Sequence, residues 1–153
     1  MRRPLIAVAA LAGACALAGT SAAGTSVTTP FSGEAINNCN GELVTVEGNI
    51  HTTASATTDT NGTHFHVTVN LSDVKGVALV SGARYVEVLT QTQTANFSFD
   101  GASEQNGETT QILNRLGEDG TPDDFYTHVS FHMTVNANGV PTVDRTDSRI
   151  DCR

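Results

Sequence analysis

The stretch of sequence that decides the fold is residues 43–71, LVTVEGNIHTTASATTDTNGTHFHVTVNL. Apolar and polar side chains alternate in both halves of this stretch, which is the period of a half-buried β-strand. Asn61-Gly62 lies between the halves, and it is a strong hairpin signal because both residues tolerate the positive φ of a type I′ turn. A two-residue turn there would set Ala56 opposite Val67. The apolar faces of both strands coincide in that register, so the stretch predicts a β-hairpin.

The same two-residue period continues along the rest of the chain. Further alternating runs are joined by turn signals such as Asp100-Gly101 and Asn138-Gly139, and no helical period of useful length follows the first 23 residues. The runs after the hairpin are 77–80, 84–99, 108–116, 125–135 and 140–150. Regular strands with short connections predict an all-β domain, built as an antiparallel up-and-down meander.

The first 23 residues have the pattern of a secretory signal peptide. Arg2 and Arg3 precede an apolar stretch at 5–17, and small residues follow, so we predict cleavage after residue 23. The apolar stretch is shorter than the roughly 20 residues that cross a bilayer as a helix. We therefore expect a secreted protein that is not inserted in a membrane after cleavage. The alternative is a lipoprotein, anchored through Cys15.

Two cysteines remain once the leader is removed, an even number that suits an oxidising compartment. Cys39 stands before the first predicted strand and Cys152 is the penultimate residue. A disulfide needs Cα atoms within about 7 Å, and a meander brings both cysteines to the same end only if its strand count is even. We therefore predict that residues 39–153 form a single small six- to eight-stranded barrel, with one disulfide joining its ends. The strand count must be even, so it is six or eight. Residues 24–38 are small and polar and are expected to form a flexible lead-in.

The composition is acidic, with sixteen acidic residues against eight basic ones and a formal net charge of −8. Loss of Arg2 and Arg3 with the leader leaves six basic residues and a net charge of −10. Such a domain repels phosphate backbones and anionic lipids, so nucleic acid and membrane surfaces are not expected partners. An acidic surface also keeps a secreted protein soluble.

Five histidines, all predicted on the polar faces of their strands, are candidates for metal chemistry. His64 and His66 form a His-x-His pair, whose rings leave the strand on one side about 6.5–7 Å apart. His128 or His132 could add a third ligand, and zinc or another divalent transition metal would suit such a set. The alternative is that the rings are solvated polar-face groups, with His64 opposite Asp59 as a cross-strand pair.

The predicted strand 84–99 carries a face on which polar and apolar groups mix. The residues that share this face and are candidates to line a ligand cavity are Tyr85, Glu87, Leu89, Gln91 and Gln93. A few polar groups among apolar ones can orient an apolar ligand inside a small barrel. The alternative is that the strand changes faces at a bulge and that its polar residues are solvated.

Five short motifs are distributed over most of the mature chain. They are Asn-x-Cys-x-Gly-Glu at 37–42, Asn61-Gly62-x-His64, the strand from His128 to His132, Asn136-x-Asn138-Gly139, and Asp151-Cys152. Together they resemble a group of small secreted bacterial proteins of unassigned activity. The resemblance implies secretion and an all-β domain, and it implies no catalytic residue. Asn38 departs from the group, which has proline at that position.

These observations leave several functional hypotheses. The leading one is a secreted, non-enzymatic β-barrel without a cofactor that binds a small apolar or amphipathic ligand or an extracellular partner. The alternative is a barrel-type enzyme, either a His-ligated metal enzyme or a metal-free cyclase or isomerase that uses the cavity face of strand 84–99. No Gly-x-Ser-x-Gly elbow and no clear nucleophile with a paired base occur in the sequence. A purely structural secreted protein is the third interpretation.

Overall fold

The computed structural model describes residues 22–117 and 124–152, so the leader with Cys15 and most of the charged segment after Leu116 lie outside the described residues. Seven antiparallel strands form one sheet in which spatial order follows sequence order, and this confirms the predicted all-β meander. The strands are β1 (Ala22–Ile36), β2 (Leu43–Thr58), β3 (Gly62–Ala78), β4 (Arg84–Ser98), β5 (Ser103–Leu116), β6 (Phe125–Val135) and β7 (Pro141–Cys152). Across these ranges there is no helix long and apolar enough to cross a membrane.

The predicted hairpin is present as β2 and β3, but its register differs from the prediction. Ala56 pairs with Phe65, whereas we predicted that it would pair with Val67. The difference is two residues, and a shift of two keeps every side chain on its predicted face because the side-chain period of a strand is two. The faces were therefore predicted correctly and the partners were not.

The turn between β2 and β3 explains the shift in register. Asp59 caps the three-residue connection 59–61: its carboxylate accepts hydrogen bonds from the backbone N–H groups of Asn61 at 2.7 Å and Gly62 at 3.1 Å. The predicted type I′ turn is wrong, because Gly62 is not among the glycines with positive φ. Glycine is needed there for another reason. A Cβ atom on Gly62 would collide with the backbone carbonyl of Phe97 on β4.

The first strand, β1, occupies most of the segment 24–38, for which we predicted a flexible lead-in. It pairs antiparallel with β2 along almost its whole length. The period-two signal was weak because the face that β1 shares with the core carries apolar side chains only at Val27, Phe31 and Ala35, with a threonine and a glycine between them. Pairing with β2 orders the segment despite this composition.

The sheet is not closed, so the prediction of a barrel with six or eight strands is wrong. Among the described residues, β1 pairs only with β2 and β7 pairs only with β6. The disulfide Cys39–Cys152 is confirmed, with a Cα–Cα distance of 5.6 Å. Six strands lie between the two cysteines, an even number as predicted. The strand β1 precedes Cys39 and makes the total seven. Because β1 and β7 then run in the same direction, they cannot form an antiparallel pair.

The hydrophobic core lies at the disulfide end of the sheet. Its buried members are Val44, Val46, Val74, Ala78, Ala83, Tyr85, Leu113 and Phe125. Partners in the register share a face, so these strand residues define one side of the sheet, which we call the inner face. The disulfide ties the loop after β1 to the end of β7, at opposite edges of the sheet. The sheet must therefore curve around the core at this end.

A bulge in β3 keeps both halves of that long strand on the inner face. Asp73 has a φ of 56° at a register irregularity against β4. Leu71 before the bulge and Val74 after it both pack with the core, although they are an odd number of residues apart. The predicted run 77–80 is thus the continuation of β3 and the turn after it, and it is not a separate strand.

Candidate functional site

The five cavity candidates on β4 all lie on the inner face. Tyr85 and Glu87 are buried, and Leu89, Gln91 and Gln93 are half-buried. The pairing of β4 with β5 runs from Arg84 to Phe97 without a register shift, so β4 does not change faces. The mixed character of this strand is therefore a property of one continuous surface, on which polar groups are placed among apolar ones.

Beyond the core, the inner face continues toward the 59–62 turn with apolar side chains that are only partly covered. We call this region the open half; its members are Ala54, Ala56, Phe65, Val67, Val69, Ala95, Phe97, Val129, Phe131 and Met133. Phe65 and Phe97 are 39% and 44% exposed, and their rings meet edge to face at a centroid distance of 5.8 Å. The ring of Phe131 covers Gly107, where a Cβ atom would overlap it. The open half thus combines apolar and aromatic side chains with the half-buried amides of Gln91 and Gln93, which lie level with Val69 and Val67.

Three polar residues lie between the core and the open half, and we call them the polar row: Glu87, Gln111 and Thr127. Glu87 is only 6% exposed, and Gln111 Nε2 donates a hydrogen bond of 2.5 Å to its Oε1. Thr127 on β6 is the direct partner of Gln111 on β5. Among the described residues, the buried hydroxyl oxygen of Thr127 has no hydrogen-bond partner. A buried hydroxyl without a partner is costly, as is a buried carboxyl in an apolar region, so this row differs from the packing around it.

Burial raises the pKa of Glu87 above the ordinary glutamate value of 4.5, and the hydrogen bond from Gln111 lowers it to a smaller extent. Tyr85 on β4 and Arg115 on β5 are partners in the register, one inner-face step closer to the disulfide end. The Tyr85 hydroxyl accepts a hydrogen bond from Asn37 at 3.4 Å. The pKa of Glu42 is lowered, first by the hydrogen bond from the backbone N–H of Ser81 and last by the charge of Arg115. Within the described ranges, Glu87 has no ion-pair partner.

The five histidines lie on the opposite, outer face, as predicted. His64 Nδ1 bonds the side-chain oxygen of Asn96 at 2.9 Å, and its Nε2 lies 3.3 Å from Asp59. These contacts, the Asn96 bond first, raise the pKa of His64. The remaining rings have separate neighbours: His51 bonds Thr28, His66 bonds Thr68, His128 lies near Glu108, and His132 bonds Asn106.

The structure does not bring the predicted metal ligands together. His64 and His66 are on β3, whereas His128 and His132 are on β6, and two strands separate them. Among residues 22–117 and 124–152, no three His, Cys, Asp or Glu side chains are grouped so that they could hold a metal ion. The histidines instead pair locally with hydroxyl, amide and carboxylate neighbours. His64 lies opposite Thr57 in the register, not opposite Asp59 as the alternative interpretation predicted, although its ring contacts Asp59.

The sequence did not identify Gln111 and Thr127 as site residues. Gln111 lies two residues from Leu113 and Thr127 lies two residues from Val129, so each has an apolar residue on the same face of its predicted strand. The alternation therefore already placed both on the inner face. What it could not show is that the register sets Gln111 against Thr127 and diagonal to Glu87.

No protein-family model, no curated protein and no solved structure matches this chain. The class that the structure defines is an all-β domain, a seven-stranded antiparallel meander with one disulfide between its ends. Its function must be argued from the inner face itself.

Proposed function

We propose that this protein is a secreted, non-enzymatic binder that holds one small amphipathic molecule on the inner face. The observation that carries the proposal is the order of surfaces along that face: closed core, polar row, open half. One molecule can present a polar head to the row and lay an apolar tail along the open half. Pockets for small molecules combine apolar walls with a few placed polar groups in this way.

The polar row gains from a ligand head because its hydrogen bonds are incomplete. Within the described part of the chain, Gln111 is the only hydrogen-bond partner of the Glu87 carboxyl, and the hydroxyl of Thr127 has none. Leaving such a group unsatisfied in a buried position costs about 1–3 kcal/mol. A ligand atom that bonds to the row would recover part of this cost.

The open half gains from a ligand tail because it exposes apolar area that none of the seven described strands covers. Phe65 and Phe97 present their edge-to-face pair at the far end, and Val67 and Phe131 lie between this pair and the polar row. Each CH₂ group of a tail that leaves water contributes about 0.8 kcal/mol. The tail therefore supplies most of the affinity and the head supplies the orientation.

Secretion is part of this proposal. The disulfide is compatible with an extracellular location, because such bonds persist in oxidising compartments. The signal-peptide pattern of the first 23 residues and the acidic composition support the same location.

One observation favours a second candidate, a metal-free isomerase or cyclase. Burial raises the pKa of Glu87, and a raised carboxyl pKa is a property that general acids share. Two further ionisable groups, Tyr85 and Arg115, lie on the same face one register step closer to the disulfide end. Conversion of a bound molecule, seen as a changed mass or a changed spectrum, would favour this candidate over the binder.

The test uses the uncharged fluorophore N-phenyl-1-naphthylamine as the probe, with Val67→Glu and Thr68→Glu as matched variants. These neighbours on β3 point to the inner and outer faces, respectively. We expect one probe per protein, displaced by 1-decanol, and a loss of affinity of at least about tenfold in Val67→Glu, equivalent to about 1.4 kcal/mol. Thr68→Glu should keep the wild-type affinity. Absence of probe binding to the wild type, or equal losses in both variants, would overturn the proposal.

A further inference from the structure

We infer that the polar row selects an amphipathic molecule whose head group is a cationic amine, held by Glu87, Gln111 and Thr127. The inference rests on the proposed function and specifies the chemical class of its ligand. It follows from the hydrogen-bonding capacity of the three side chains and from the charge around them.

Each of the three members of the row, which lie on the adjacent strands β4, β5 and β6, has one acceptor without a hydrogen-bond partner among the described residues. Gln111 Nε2 is already committed to Glu87 Oε1, which leaves the Gln111 carbonyl oxygen and Glu87 Oε2. Thr127 Oγ1 is the buried orphan across the ladder from Gln111. An ammonium group carries three N–H donors and no acceptor. Three acceptors on adjacent strands therefore match the donors of a primary amine one to one.

Other head groups match the row less well. A carboxylate or phosphate head has only acceptors and would place a second negative charge beside Glu87, with only the Thr127 hydroxyl to donate to it. A neutral alcohol has a single donor, so it would leave two of the three acceptors without a partner. Burial without partners is what makes such groups costly.

Charge favours the amine as well. Glu87 is 6% exposed, and within the described ranges its carboxyl has a hydrogen bond from Gln111 and no ion pair. An ammonium head would supply the counter-charge that a buried carboxylate lacks. The protein as a whole carries a net charge of −8, which attracts cations toward it from solution.

The experiment compares three displacers with the same ten-carbon tail: decylamine, 1-decanol and decanoate, each against bound N-phenyl-1-naphthylamine at neutral pH and below its micellar concentration. In the wild type we expect decylamine to bind about tenfold more tightly than 1-decanol, since a charge-assisted hydrogen bond contributes about 1.5–3 kcal/mol. Decanoate should be the weakest of the three.

Two carboxyl variants locate the effect. Glu87→Gln should bring decylamine and 1-decanol to similar affinities, whereas Glu108→Gln, on the outer face of the neighbouring strand, should keep the wild-type ratio. If Glu87→Gln does not fold, the ratio of the decylamine affinity to the 1-decanol affinity in the wild type is the test of the amine inference. A wild-type protein that binds 1-decanol and decylamine equally refutes the amine inference and leaves the binding function standing. A protein that binds none of the three refutes the binding function itself.

Discussion

Removal of the Cys39–Cys152 disulfide is expected to take away a large fraction of the stability of this domain. The bridge joins residues 113 positions apart. The chain-entropy relation for a loop of that length gives a stabilisation of about 4.8 kcal/mol at 25 °C. Domains of this size have total stabilities of about 5–15 kcal/mol, so the loss is a large fraction of the whole.

The structure gives a second reason to expect a large effect. The most deeply buried side chains, such as Val44, Leu113 and Phe125, all lie at the end that the bridge holds. In the described chain no backbone ladder joins β1 to β7. Without the bridge, the two edges of the sheet are free to separate and the core between them is exposed. The loss of the entropic stabilisation and the loss of core packing both destabilise the folded domain.

The assay is urea unfolding of the double variant Cys39→Ser/Cys152→Ser, followed by far-ultraviolet circular dichroism because the chain contains no tryptophan. We expect the free energy of unfolding to fall by about 4–5 kcal/mol. A reducing agent should destabilise the wild type to a similar extent and should leave the double variant unchanged. A loss smaller than about 1 kcal/mol, within the scatter of ordinary point mutations, would refute the argument that the bridge holds the two edges.

Two further changes test the packing and the electrostatics of the sheet. Gly62→Ala should destabilise the fold by about 2–3 kcal/mol because the new Cβ meets the β4 backbone, whereas Gly33→Ala, with nothing within 4 Å, should be neutral or slightly stabilising in the same urea assay. Because the pKa of Glu87 is raised in the folded state, stability should fall as pH rises from 4.5 through the folded pKa, by up to about 1.4 kcal/mol per pH unit. Glu87→Gln should remove this contribution, and an unchanged pH profile in that variant would contradict the assigned cause.

Local patterns were sufficient to predict most of the strands. The predicted runs 43–58 and 125–135 coincide with β2 and β6, and the turn at Asn138-Gly139 forms with a φ of 76° at the glycine. Alternation and turn chemistry are properties of neighbouring residues, so the sequence displays them directly. The face of β4 could be predicted for the same reason, since only the period of two is needed to place Glu87 beside Tyr85.

Features that depend on distant partners could not be predicted. The carboxylate of Asp59 lengthens the β2–β3 connection by capping two backbone N–H groups, and this moves the register by two residues. The partnership of Gln111 with Thr127 depends on the pairing of β5 with β6, which alternation alone leaves open. The sequence therefore predicted the face of the sheet on which the site lies. It did not predict which polar groups of that face are neighbours.

Strand parity explains why the inner face is packed at one end and open at the other. Six strands between the cysteines bring Cys39 and Cys152 to the same end, where the bridge curves the sheet around the core. The extra strand β1 makes the total odd, so β1 and β7 run in parallel and cannot close the sheet by antiparallel pairing. Among the described residues, the disulfide is the link between the two edges, and Phe65 and Phe97 in the open half stay exposed. The open half thus follows from topology, and the polar row lies where the packed region ends.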